Sequence, residues 1–448
     1  MASHLRSFFK SGLWTFFAKS SSSVLSLVQS MLLARILPQT EFGLYLMSMS
    51  LIWGISTLVQ WGSGPSIITR LQARPGFIPN QRGEIFARLK LMMVIISLCA
   101  IAILFAPTTL LHTDFPIELN FGERSLLVTY LALHALHFFV PEALRGLHQI
   151  SWASIFTGPL PHLPGCLWLV YLWRAGEPVS IAQIFSVLCW AWGASLLLSL
   201  VVLHFSTRGR DARTLPAVVP GLSQNFRLQT SMALFQLVTF FSVQSDLWLI
   251  NYLAHPNQVA IYGVAQKLLM LFTFTPLVLG TAMLAQLSQL HASGKHRELS
   301  QLMRRSAVIS SIVALSMAAI FYFMGEFIVT KLFGARYLVS LDSFYILAAG
   351  QVLAMAFGPL GFYLMMTGHQ AELLKITVFS TACALALGVI IFAAGVRPDL
   401  AVSTGVSVGL LIQTISFFRK ARKSVQAFSA IAGLRFWSHD NRHLRKSA

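Results

Sequence analysis

Twelve long apolar segments follow one another along this 448-residue chain, and nothing constrains its fold more than that succession. They run over approximately 11–34, 42–66, 89–106, 125–143, 152–173, 180–204, 229–253, 258–283, 306–324, 342–366, 372–394 and 400–418. A hydrocarbon core about 30 Å thick needs roughly 20 apolar residues per crossing helix, and each segment supplies them. None alternates apolar and polar residues as a barrel strand does, so helices are the economical way to satisfy every backbone group in lipid. With 56% apolar and only 11% charged residues, the chain is read as an all-α polytopic membrane protein rather than a string of soluble domains.

The first segment follows a basic start, Arg6 and Lys10, but it is too long for a signal peptide and lacks a small-residue cleavage site. It is read as a permanent helix. Cys99, Cys166, Cys189 and Cys383 all fall within apolar segments, without metal-type spacing, and are read as packing residues.

The formal net charge of +18 has to be read by position. With the N-terminus inside and twelve crossings, only Arg35, Arg124, Arg174, Lys331, Arg336 and Arg397 fall on the outer side, while Lys19 and Lys267 lie within the membrane. Every other Lys and Arg of the 33 falls inside, as the positive-inside rule requires. Both termini are therefore expected in the cytoplasm. The densest cluster, "FFRKARKSVQ" around Arg419 to Lys423, suits contact with anionic membrane lipids. No aromatic-interleaved fold accompanies it, so no nucleic-acid partner is expected.

The chain also repeats itself. "LPQTEFGLY", ending at Tyr45, resembles "AHPNQVAIY", ending at Tyr262, an offset of 217; "RGLHQISW" and "MTGHQAEL" place His148 and His369 at an offset of 221. An offset of six helices preserves orientation, so the halves are expected to be parallel repeats with a cavity between them. This divides the chain into a lobe of six helices (1–206), a basic cytoplasmic linker (207–228), a second six-helix lobe (229–418) and a basic tail (419–448). The two His-Gln pairs are read as one turn built twice, with Gly relaxing the backbone at the helix end, rather than as a catalytic dyad.

At this point a family resemblance can be stated. "RILPQTEFGLY" looks like the junction after the first helix in the polysaccharide exporter, or O-antigen flippase, family of the multidrug/oligosaccharidyl-lipid/polysaccharide (MOP) exporter superfamily. "QSDLWLINYLAHPNQVAIYGVAQKL" and "LFGARY" are similar to that family's pattern in helices seven and eight and on entry to helix ten. The resemblance implies two six-helix bundles around a central cavity, lined chiefly by helices one, two, seven and eight. It further implies alternating access that carries a lipid-linked oligosaccharide from the cytoplasmic to the outer leaflet of a bacterial inner membrane, for lipopolysaccharide O-antigen or exopolysaccharide. Partner proteins of such a pathway are a polysaccharide polymerase and chain-length proteins.

The polar residues within the spans carry the site expectations. Thr15, Lys19, Ser22, Ser26 and Gln29 recur at spacings of 4, 3, 4 and 3, on one narrow face of helix one. A lysine inside a membrane costs about 2.5–3.5 kcal/mol on insertion scales, so it should face water or a partner. Lys19 could attract the pyrophosphate of a polyprenyl-linked sugar; alternatively it snorkels to the interface while the serines permit close packing. Tyr45, Ser56, Gln60 and Ser63 make a weaker stripe on helix two, suited to sugar hydroxyls or to stitching helices, and "WGSGPS" from Trp61 to Ser66 marks a break. Arg70, Glu142 and Arg145 sit where helices two and four meet the cytoplasm, at a phosphate entrance or as topology anchors. Asp246 is the single acid placed within the membrane; it could bind a coupling proton or sodium ion, or pair with Lys267 of the next helix as support or gate. Arg35 is read as structural.

No other cofactor is expected. His134 and His137 share a helix face but lack a third ligand nearby in sequence, and no G-x-x-x-x-G-K-[ST] loop is present for ATP. Two alternatives stand beside the flippase reading. A multidrug or cation-coupled exporter of the same superfamily calls for acids rather than a lysine in the first lobe. A polysaccharide polymerase or ligase calls for a sizeable outer domain, whereas the longest outer loop, about Pro107 to Arg124, is short and acidic through Asp114, Glu118 and Glu123. The chain is therefore read as a transporter and not an enzyme.

Overall fold

A computed structural model describes residues 2–72, 81–105, 120–176, 179–208 and 222–424, with side chains except at 2–16, 69–70, 72, 81, 222–228, 275–278, 281–282, 284–285 and 423–424. Thr15 and Arg70 as side chains, most of the basic linker and the tail beyond 424 thus lie outside the described residues. Among those described, the elements are helical: α1 (Ala2–Ile36), α2 (Gln39–Gln60), α3 (Ser63–Gln72), α4 (Gln81–Phe105), α5 (Phe121–Gly146), α6 (Ile150–Thr157), α7 (Leu163–Ala175), α8 (Ile181–Thr207), α9 (Leu222–Leu253), α10 (Pro256–Ala292), α11 (His296–Leu332), α12 (Ser340–Met355), α13 (Leu360–Met366), α14 (Gln370–Ala393) and α15 (Pro398–Ser424).

All twelve expected spans fall on helices. Among the described residues, eight helices are individually long and apolar enough to cross a membrane, nine when α12 and α13 count as one span bent by 49°. Their outer surfaces carry bare apolar side chains such as Trp190, Tyr252 and Phe323, at 81%, 78% and 82% exposure, which is what a lipid-facing surface requires. The chain is a multi-pass membrane protein.

Two spans differ from expectation, one of them 342–366, which is α12 and α13 with a 49° bend at their break. The other, 152–173, is two helices, α6 and α7, separated at Gly158–His162. The intervening "GPLPH" removes backbone donors at Pro159 and Pro161, and Pro164 sits where a helix begins, so α7 restarts instead of continuing α6. The break foreseen in "WGSGPS" is present: α2 stops at Gln60, Trp61 turns left-handed (φ 38°), and α3 begins at Ser63. Two starts are set locally by reciprocal capping boxes, Asn120 with Glu123 for α5 and Ser180 with Gln183 for α8.

Contacts divide the chain into two units, Met1–Ala260 and Ile261–Ala448. In the first, α5 is the hub and packs on α2, α3, α4, α6 and α8 around a core that includes Val59, Ile67, Phe139, Leu144 and Phe156. α1 lies on α6 and α7, and α9 lies on α2 and α3. The α2 to α9 seam depends on small residues. A Cβ on Gly54 would stand 2.7 Å from the Phe240 ring, one on Gly62 would stand 2.3 Å from the Gln229 carbonyl oxygen, and Ser50 accepts a 2.6 Å bond from the Trp248 indole. The two similar stretches found in the sequence also meet here. A Cβ on Gly43 would lie 2.0 Å from the Pro256 carbonyl oxygen, and Gln39 donates to the Asn257 carbonyl at 3.4 Å.

In the second unit α15 packs along α14, α12 and α13. Gly405 and Gly409 face Ser380, Ala384 and Gly388; a Cβ on Gly405 would stand 2.3 Å from the Ala384 carbonyl oxygen. This is close backbone approach through small residues four apart, the packing that membrane helices use where no hydrophobic force joins them.

The duplicated turn is present, but its register is not that of the His-Gln pairs. After α5, the N–H of Gln149 reaches the Leu144 carbonyl at 2.9 Å; after α13, the N–H of His369 reaches the Leu364 carbonyl at 3.0 Å. Both are the long bond of a helix-terminating Schellman turn. The left-handed position is His148 (φ 64°) in one copy and Gly368 (φ 81°) in the other, so Gln149 corresponds to His369. Gly146 serves close packing instead, since a Cβ there would lie 2.6 Å from Leu71.

Candidate functional site

Four segments of the first unit bring charge to one place. Gly158, just after α6, allows the backbone of α1 to approach so closely that a Cβ would lie 2.8 Å from the Ala18 carbonyl oxygen. That contact fixes Lys19 next to the end of α6. The Lys19 side chain is exposed and lies within electrostatic reach of Glu142 and Arg145 on α5. Glu142 and Arg145, three residues apart on α5, form an ion pair, and Arg145 also donates to the Thr157 hydroxyl of α6 at 3.1 Å. From the other side Gly64 of α3 faces the Glu142 side chain and the Gln60 amide oxygen, at 3.4 and 3.7 Å from where a Cβ would be.

The balance of charge is the functional point. Arg145 is neutralised by Glu142, so the group carries one net positive charge, and Lys19 holds it. Among the described residues Lys19 makes no hydrogen bond or ion pair of its own. A cation in an otherwise apolar stretch of helix offers an anion what the hydrocarbon cannot.

The structure thus places Lys19 within electrostatic reach of Arg145 and Glu142, with Gln60 and Glu142 both facing Gly64 of α3. Ser22 and Ser26 follow on α1, half-buried. Gln29 does not join them: it is 6% exposed, its amide nitrogen donates to the Tyr45 hydroxyl at 3.3 Å, and its amide oxygen meets His162 Nδ1 at 3.2 Å. The polar face of α1 therefore runs from an exposed end at Lys19 into the packed interior of the unit. Arg70 belongs to α3, and its side chain lies outside those described. Asp246, on α9, is 8% exposed and accepts the N–H of Leu247 at 2.8 Å. Lys267 is half-buried on α10 and belongs to the second unit. Arg35 lies over the Trp173 ring, 5.4 Å from its centroid.

Two residues of this region had no sequence signal. Thr157 is an ordinary residue at a helix end until folding places it against Arg145. Arg88, at the edge of an apolar segment, is 7% exposed and donates to the Ser63 carbonyl at 2.9 Å and the Ser66 hydroxyl at 2.6 Å while pairing with Glu84 at 3.2 Å. It fastens α4 to the break between α2 and α3, the same break that positions Gln60 and Gly64.

The sequence profile of the family described as "Polysaccharide biosynthesis protein" matches residues 8–291, from within α1 almost to the end of α10, a stretch that includes this whole cluster. The chain belongs to that family. A second profile, that of the MatE family, matches residues 231–392. No curated protein matches the chain. Among solved structures it is similar to an inward-facing multidrug resistance MATE family transporter of the MOP superfamily, with 15% identity, a TM-score of 0.71, and 90% of this chain and 94% of that one covered. It is also similar to the lipid II flippase MurJ in an inward closed conformation, with 11% identity, a TM-score of 0.72, and coverage of 94% and 88%. A MOP superfamily transporter from Pyrococcus furiosus matches at 15% identity and a TM-score of 0.66 over 94% and 96%. At such identities the likeness concerns the fold: the family member described here has the two-lobed, all-helical fold of the MOP superfamily.

Proposed function

We propose that this protein is a flippase that carries a lipid-linked oligosaccharide, polyprenyl-pyrophosphate-linked, from the cytoplasmic to the outer leaflet of a bacterial inner membrane by alternating access, for synthesis of a cell-surface polysaccharide such as O-antigen. Membership in the polysaccharide biosynthesis family supports the cargo class, and Lys19 is the observation that carries the mechanism. A pyrophosphate leaving the headgroups needs a cation, and Lys19 is a membrane-depth ammonium not already neutralised, unlike Arg145 beside it. Gln60 and Thr157 add hydrogen-bonding groups suited to phosphate or sugar oxygens. In this reading Ser22 and Ser26 extend the path along α1, Arg70 and Arg145 stand at its cytoplasmic entrance, and both termini are cytoplasmic. Asp246 and Lys267 are candidates for coupling to a proton or sodium ion, or for gating. A polymerase and chain-length proteins would take up the product.

The test is complementation of a strain lacking the protein, with lipid-linked intermediate on the cytoplasmic side as readout. Lys19→Ala should accumulate that intermediate and Lys19→Arg should clear it; full clearance by Lys19→Ala removes the pyrophosphate role. The MatE match over 231–392 favours a second reading, a multidrug or cation-coupled small-molecule exporter. It predicts that loss of the protein raises retention of a cationic dye and leaves the lipid-linked intermediate unchanged.

A further inference from the structure

The interior of the first unit holds a second polar assembly that the cargo reading does not use. The indole of Trp192 on α8 is surrounded by three imidazoles: His134 with ring centroids 5.0 Å apart, His137 at 5.0 Å and His162 at 5.7 Å. His134 and His137 come from α5, and His162 immediately precedes α7. Trp192 is 6% exposed and His137 2%.

The hydrogen bonds fix the state of the central ring. His137 Nε2 lies 2.9 Å from the Phe156 carbonyl oxygen, which can only accept, so Nε2 carries the hydrogen and Nδ1 of the neutral ring is a lone pair. That Nδ1 is buried without a protein partner among the described residues, as are the Trp192 indole nitrogen and the hydroxyl of Ser195, three residues along α8. A lone pair, an N–H donor and a hydroxyl, all buried and unpartnered on neighbouring side chains, are the groups a single internal water would join.

We propose that this assembly is a proton-binding site, with Nδ1 of His137 as the acceptor and a water shared with Trp192 and Ser195 as the donor. The new N–H bond forms at Nδ1 as an O–H bond of that water breaks, and a proton from bulk hydronium restores the water, so the net change is one proton taken up. The facing titratable groups are Tyr130 and His134 on α5, Tyr45 on α2, His162 and Cys166 at the start of and within α7, and Cys189 on α8. α6 contributes the Phe156 carbonyl. Each of these groups is neutral in its ordinary state near pH 7, and three imidazoles on one indole repel a second proton, so the site takes one. The charged set of Lys19, Glu142 and Arg145 lies further along α1 and α5. Among the described residues no three His, Cys, Asp or Glu side chains are arranged to hold a metal ion.

The site is linked to movement through its other two imidazoles. His134 Nδ1 meets the Ser56 hydroxyl of α2 at 2.9 Å, and His162 Nδ1 donates to the Gln29 amide oxygen of α1 at 3.2 Å. These bonds hold α1 and α2, which carry Lys19 and Gln60, onto the rest of the unit. A charge placed between the imidazoles favours hydration over that closed arrangement, so proton binding releases α1 and α2 and proton loss restores them. The assignment concerns the energy source and is independent of the cargo.

Protonated imidazole quenches a neighbouring indole, so the purified protein can be titrated without substrate. The Trp192 signal is the emission of the wild type minus that of Trp192→Phe. It should fall with the slope of a single proton as the protein is taken from about pH 8 to about pH 3, a range that covers a buried as well as an exposed imidazole. The step should vanish in His137→Gln, persist in His162→Gln, and shift its midpoint in Ser195→Ala. A flat difference signal in the wild type overturns the site, a reading that needs no histidine variant to fold. A step that survives in His137→Gln overturns the choice of acceptor, and an unmoved midpoint in Ser195→Ala overturns the shared water.

Discussion

Among the described residues of the second unit, Asp399 at the start of α15 is the most heavily bonded carboxylate, and its removal has a calculable cost. The side chain is fully buried. Its Oδ2 accepts from Arg397 Nη2 at 2.8 Å and from the Ser343 hydroxyl of α12 at 2.9 Å, and its Oδ1 accepts from Arg397 Nε at 3.2 Å. Arg397 reaches on to Asp342 of α12 at 3.2 Å, so one guanidinium ties the first turns of α12 and α15 together. Breaking a buried pair costs about 3–5 kcal/mol, and because the Arg397 side chain keeps 43% exposure the low end applies to Asp399→Ala, ~3 kcal/mol. At roughly 2–4 °C per kcal/mol for a unit of this size, the melting temperature should fall by about 6–12 °C. Asp399→Asn keeps one acceptor but turns N–H donors toward the guanidinium, and about 1–2 kcal/mol is expected. Arg397→Met leaves the carboxylate buried with only Ser343 and should be the worst of the three. Adding Asp399→Ala to it should therefore restore stability. Melting of the detergent-purified protein measures all four variants. A double variant less stable than Arg397→Met alone, or an Asp399→Ala protein that melts with the wild type, refutes the reasoning. Hydrogen bonding to Asp399, and the charge of the two carboxylates, hold the Arg397 guanidinium above its ordinary value. Its contribution is present below that value and lost only above it, so these differences should not change between about pH 6 and 9.

Three further outcomes are expected. Gly409→Leu, which must displace Ala384 from 2.5 Å, should cost about 3 kcal/mol and reduce the monodisperse fraction on gel filtration; Gly361→Ala, with its nearest neighbour at 3.8 Å, is the silent control. His148→Gly should stabilise the protein by about 1 kcal/mol and Gly368→Ala should destabilise it by a similar amount, since both occupy the left-handed position of one turn; equal melting temperatures for all three proteins would contradict that equivalence. Arg88→Met removes the donors to Ser63 and Ser66 and should cost about 2–4 kcal/mol by thermal melting, with Arg88→Lys recovering less than half because an ammonium lacks the planar fork.

The sequence by itself determined what depends on neighbours along the chain. Runs of apolar residues set the crossing helices, because lipid admits no unpaired backbone. Gly and Pro set the break after Gln60, and the same chemistry in "GPLPH" split a span that hydropathy alone reads as one. The repeat announced itself in "GLHQ" and "TGHQ", yet its register was wrong by one residue, because identity of letters is not identity of backbone: His148 occupies the left-handed position that Gly368 holds in the second copy. Tertiary structure decided which polar groups meet. The face from Lys19 to Gln29 is continuous in the sequence, but contact with α6 leaves Lys19 exposed near Glu142 and Arg145, while His162 and Tyr45 draw Gln29 into the interior. Arg88 on Ser63, Thr157 on Arg145 and three imidazoles on Trp192 follow from the rotation and close approach of helices far apart in the chain. A period of 3.6 residues tells a helix which face is apolar; only packing against another helix tells a polar atom what it will touch.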